Sequence, residues 1–165
     1  MNNTILEYFV SVLSTVDVAI GENHIHVAST NGFVVGETFK IYKTAEATEY
    51  GIITAIDSVA LTISIAPETF ISVHSTGATM CGWMEEIYVF HISFLASAFG
   101  RVGHTEIDIA NPRNIKESTY SNYMRIRIKE KLSTMPMFFG RISAIEPNFD
   151  SQMGHGLRIS ADDAL

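Results

Sequence analysis

Asn122-Tyr-Met-Arg-Ile-Arg-Ile-Lys-Glu-Lys-Leu132 is followed by Met135-Pro-Met-Phe-Phe-Gly-Arg-Ile-Ser-Ala-Ile-Glu-Pro-Asn-Phe149 and then by His155-Gly-Leu-Arg-Ile-Ser-Ala-Asp-Asp-Ala-Leu165. These three runs decide the fold class. In the first, Met124, Ile126 and Ile128 alternate with Arg125, Arg127 and Lys129. A period of two places the apolar side chains on one face of a strand and the cations on the other, as in a half-buried antiparallel strand. The short Ser133-Thr134-Met135-Pro136 connection predicts that the second run folds back on the first as a hairpin. Pro147 has no N–H to give to a ladder, so the second strand is expected to end there.

Working back from this stretch, Thr105–Ala110 is another alternating strand, stopped by Asn111-Pro112 and followed by a polar loop through residue 121. Residues 84–98 are apolar at nearly every position. Their β-branched and aromatic content favours one long strand, with a helix ending near Gly100 as the alternative. Between Ile20 and Met80 the runs HIHVAS, ETFKIYK, TEYGIITAIDS and ALTISI are separated by short polar links, which predicts four strands in a meander or small barrel. Gly32 and Gly36 flank Phe33-Val34-Val35, a turn in which glycine supplies positive φ and the apolar side chains fold under the sheet. The first eighteen residues fit neither period: Phe9, Val10, Leu13 and Val16 would line a helix, and Val10, Val12 and Ser14 a strand.

The expected organisation is therefore all-β, with two small antiparallel barrel- or sandwich-like units. An amino-terminal arm (1–19) that orders on docking precedes a β-module (20–82) and a second β-unit (83–165). A chain of 165 residues is long enough to bury a core in one or two such domains. Apolar residues make up 47% and charged residues 18%, a charge-poor composition that points to buried interfaces in an oligomer. A net charge of −7 argues against general nucleic-acid binding. The lone Cys81 gives no disulfide framework. No run is apolar for long enough to predict a membrane-spanning helix, and the first nineteen residues lack the basic start and cleavage pattern of a secretory signal.

The phrase Phe139-Gly140-Arg141-Ile142, Ile145-Glu146-Pro147, Phe149 and then Leu157-Arg158-Ile159 with Asp162 resembles the hub protein of contractile phage tails and related injection machines. The likeness covers about a quarter of the chain and is one of pattern. Hubs of this type usually continue past the position of Leu165. Ile25, Val27, Gly32, Phe33, Gly36 and Glu37, with His74, Gly77 and Ala78, resemble a small β-module of virion and tail proteins, with Glu37 where aspartate is usual. The resemblance implies a structural virion component synthesised in the host cytoplasm. It would act without catalysis or a cofactor, self-associate, and contact tube, spike or adaptor proteins.

Candidate chemistry is sparse. Arg125, Arg127, Lys129 and Lys131 share one strand face, either as a contact for an acidic partner or as a solvated or cross-strand-paired face. Met135 and Met137 beside Phe138-Phe139 read as a partner-docking patch or as a strand end packed on the core. The interface candidates are thus Arg125, Arg127, Lys129, Met135, Met137 and Phe138. His24 and His26, two apart on a strand, are the best-spaced metal ligands, but no third or fourth ligand lies nearby in sequence. Glu106 and Asp108 share a face, yet nothing else supports a glycosidase-like pair. No nucleophile elbow or phosphate-binding glycine loop occurs. The alternative to a structural role is a carbohydrate-binding or adhesin-like module, whose mark is an exposed aromatic platform with polar neighbours.

Overall fold

The structure is a computed structural model, and it describes residues 4–86, 88–96, 102–110, 119–150 and 154–163. The described residues are all-β, with no helix and no closed barrel. Twelve strands follow one another: β1 (Thr4–Leu13), β2 (His24–His26), β3 (Thr38–Tyr42), β4 (Glu49–Ile52), β5 (Ala55–Asp57), β6 (Thr62–Ser64), β7 (Thr79–Glu86), β8 (Val89–Ala96), β9 (Val102–Ala110), β10 (Arg125–Glu130), β11 (Phe138–Asp150) and β12 (Gly154–Asp163). Nine form one sheet in the order β4-β3-β7-β1-β10-β11-β12-β9-β8, and β2-β6-β5 form a second. The barrel expectation fails because the pairings run out along an open sheet instead of returning on themselves. The chain divides into two compact units, one of residues 1–8 with 85–165 and one of residues 9–84.

In the first unit, alternation translates directly into cross-strand rows. Leu6 faces Ile128, and Ile128 faces Phe138; Ile142 faces Ala161; Ile159 faces Ile107. All of these are buried, so the period-two pattern builds the core by aligning apolar residues from strand to strand. On the other face Arg125 lies opposite Arg141, Arg141 opposite Asp162 and Asp162 opposite His104. The predicted β10–β11 hairpin is present.

Two expectations fail here for local reasons. Pro147 does not end β11, which runs on to Asp150. The register with β10 stops at Arg141, and no described strand pairs with β11 at Pro147 on the side away from β12, a place where a missing N–H costs no ladder bond. The run 84–98 is not one strand, because β7 ends at Glu86 and β8 starts at Val89. Glu86 is buried and accepts hydrogen bonds from the Tyr88 amide (3.0 Å) and the Tyr120 hydroxyl (2.5 Å), so the break is built around a carboxylate. The expected loop at 111–121 and the stop at Asn111-Pro112 lie largely outside the described residues.

In the second unit, β3 pairs with both β4 and β7, while the third expected run splits into β4 and β5. β5 and β6 pair in the small sheet, with Ile56 opposite Ile63 and Ile63 opposite Ile25. Phe39, Ile41, Ile53, Phe70 and Met80 are buried among the largest core side chains. Gly32 and Gly36 have φ of 82° and 92°, and Phe33 between them is buried while Val35 stays exposed. The first eighteen residues contain β1, which hydrogen-bonds with neighbours on both sides of the sheet order.

Candidate interface

The interface candidates of the β10–β11 hairpin have different fates. On β1, Glu7 lies opposite Arg127 of β10; it is buried, and it takes both the Arg127 guanidinium and the Lys129 ammonium, the latter at 3.0 Å. Two of the three strand cations are therefore engaged in a cross-strand pairing that offsets the burial of Glu7. Arg125 is exposed at the other end of the strand. Phe138 is buried, and its ring covers the backbone of Gly140, where an added Cβ would also strike the Asp162 carbonyl. Met135 and Met137 stand out in solvent at 76% and 44% exposure, with Leu132 at 92%.

The other open feature is the strand at the end of the large sheet. β8 reads VFHISFLA and contains no Lys, Arg, Asp, Glu or Pro. It pairs with β9 along one edge, and no described strand pairs with the other. Bulges lie at its two ends, between Val89 and His91 and between Leu95 and Ala96, which leaves His91–Leu95 as a regular ladder segment. Phe94 and Leu95 are exposed. Thr4 and residues Val89, Phe90, His91, Ile92 and Phe94 line an open cleft of about 220 Å³. Native sheets usually guard such an edge with charges, prolines or cover, because its N–H and C=O groups recruit another strand. Among the described residues, β8 has no guard of this kind except its terminal bulges. The β-branched and aromatic content of residues 84–98 predicts a strand here but neither its break at Glu86 nor its position at the end of the sheet, since place in a sheet depends on pairings between distant segments.

The titratable groups form structural networks. Asp108 accepts from Arg158 Nε at 2.9 Å and Nη2 at 3.2 Å and from Asn148 at 2.9 Å, so Glu106 and Asp108 are not a free carboxylate pair. The Asp108 hydrogen bonds raise the Arg158 guanidinium further above its ordinary value. Asp162 is held below the usual carboxylate range by its 2.7 Å contact with the His104 ring and by the Ser143 hydroxyl. Tyr120 is pushed far up by burial and by the adjacent Glu86 carboxylate. The His24 and His26 rings meet edge to face at 5.4 Å, but no group of three or more His, Cys, Asp or Glu suited to a metal occurs among the described residues. No described helix is long and apolar enough to cross a membrane.

Compared with known proteins, the chain matches no family model, no curated protein and no solved structure.

Proposed function

We propose that this protein is a structural component of a phage tail, in the baseplate, hub or tail-tip region, that assembles by adding a neighbour's strand to its sheet. The observation that carries this reading is the uncharged edge of β8 beside an open cleft. Such an edge supplies main-chain hydrogen bonds for affinity, while the alternate side chains and the cleft supply selectivity. A charge-poor composition agrees with a surface that is covered in an assembly. The neighbours are further copies of this chain and tube, spike or adaptor proteins, and the location is the virion. No catalytic role or cofactor enters this account. The test is the purified protein's oligomeric state with and without two lysines on the edge, Phe94→Lys with Leu95→Lys. Loss of the oligomer with retained β-sheet circular dichroism is expected; an oligomer that survives the change contradicts the assignment of the edge.

One observation favours a carbohydrate-binding role as a second reading. Lys40 lies opposite Tyr50 on the solvent side of β3 and β4, and its ammonium sits 4.4 Å from the Tyr42 ring centroid. Tyr42 and Tyr50 are both exposed, giving aromatic rings with a polar neighbour. A glycan screen in which Tyr50→Ala abolishes a wild-type signal would favour this reading; no signal from the wild type would remove it.

A further inference from the structure

In the second unit, three segments converge on a fully buried histidine. His74 exchanges backbone hydrogen bonds with Val18 in both directions, at 2.8 and 3.0 Å. Its Nε2 lies 3.1 Å from Glu49 Oε1. Its Nδ1 is buried with no hydrogen-bond partner and faces Glu46 Oε2 at 3.9 Å. Glu49, the first residue of β4, also accepts the amides of Ile71 at 3.0 Å and Ser72 at 2.6 Å. Glu46 accepts from the Ser75 amide and hydroxyl. Lys43 donates to Ser75 Oγ at 2.8 Å and to the Thr76 carbonyl at 2.7 Å, and Asp17 accepts from the Thr76 amide at 2.7 Å. The Phe70 ring closes the remaining side, edge to face at 5.9 Å.

The ionisable groups around the imidazole are thus Glu46 and Glu49, with Lys43 and Asp17 one residue further out. With a neutral ring, three carboxylates face one ammonium, and a buried nitrogen lone pair points at a carboxylate. An unsatisfied buried polar atom of this kind is costly. With a protonated ring, both N–H groups point at carboxylate oxygens, and a second cation enters the cluster. We infer that His74 is a proton-operated clasp: the imidazolium donates to Glu49 and Glu46 at once and holds segment 71–76 against the start of β4, and loss of its proton loosens that segment. Ile71 and Val73, both strongly exposed, ride on the segment that the clasp controls, so its release changes the apolar surface beside β4.

Hydrogen exchange of the full chain, resolved at the Ile71 and Ser72 amides and corrected for intrinsic base catalysis, tests this between pH 5.5 and 8.5. Protection of both amides is expected to fall at least tenfold as the pH rises. In Glu46→Gln the added amide can donate to the Nδ1 lone pair and satisfy the neutral ring, so the same protection is expected to be flat with pH. The ring ¹⁵N shifts of His74 should show both nitrogens protonated at the acid end of the range. A flat wild-type profile, an unchanged slope in Glu46→Gln, or a single neutral tautomer throughout would each overturn the clasp.

Discussion

Glu7 illustrates how one residue fixes a strand face. Its carboxylate is buried against Arg127 and Lys129, neighbours on one face of β10, so Glu7→Ala removes the carboxylate that both cations share. Hydrogen bonds to charged groups contribute about 1.5–3 kcal/mol each, and the partial exposure of the cations puts the expected loss near the lower end, about 2 kcal/mol. Urea denaturation measures it, and an Arg127→Ala cycle should show that the two changes are not additive. A loss below about 0.5 kcal/mol would mean that water replaces the pairing. Gly140→Ala is expected to cost about 1–3 kcal/mol in the same assay, because a Cβ there meets the Asp162 carbonyl and the Phe138 ring. Neither partner was legible in the sequence. The sequence leaves Arg127 and Lys129 either as a partner contact or as a solvated or cross-strand-paired face; the pairing is what forms, but its partner Glu7 lies 120 residues from Arg127, through a register that local periodicity does not encode. For Phe138 the sequence leaves a docking patch or a strand end packed on the core, and Ile128 opposite it settles the second.

At the level of elements, the loop clusters carry the acid sensitivity. The Thr76 amide holds Asp17 below its ordinary value, and the Ser75 hydroxyl does so for Glu46. For Glu49, burial pushes upward but is outweighed by the Ile71 and Ser72 amides. A depressed carboxylate stabilises the fold fully above the ordinary pKa of about 4, and the contribution is lost as pH falls through the folded-state value. The urea midpoint is therefore expected to drop between pH 5 and pH 3, and Glu49→Gln should flatten that drop. An acid limb that is the same in the variant would place the sensitivity elsewhere. Strand existence was largely legible: the alternation in Arg125–Glu130 and Thr105–Ala110 gave β10 and much of β9. Breaks and ends were not. The break between Glu86 and Val89 depends on Glu86 meeting Tyr120, and the passage of Pro147 through β11 depends on an edge that no described strand pairs at that point. Both are facts of pairing at a distance.

For the molecule as a whole, a nine-stranded open sheet ends in β4 on one side and β8 on the other. β4 is occupied at its start, where the Glu49 carboxylate ties the 71–72 backbone, whereas β8 carries exposed Phe94 and Leu95 and no Lys, Arg, Asp or Glu. An edge of this kind is a surface on which sheets grow, and its use by another copy turns a single chain into a symmetric assembly. The charge-poor composition predicts buried interfaces in an oligomer. The open edge did not show in the sequence, since a strand of this composition reads equally as a central one. The central claim is that β8 joins subunits, and the most direct test is native mass by light scattering at low and moderate salt. The account predicts a discrete multiple of 18.2 kDa that returns to a single chain in the Phe94→Lys, Leu95→Lys variant. A wild-type chain that stays at 18.2 kDa at high concentration would contradict it.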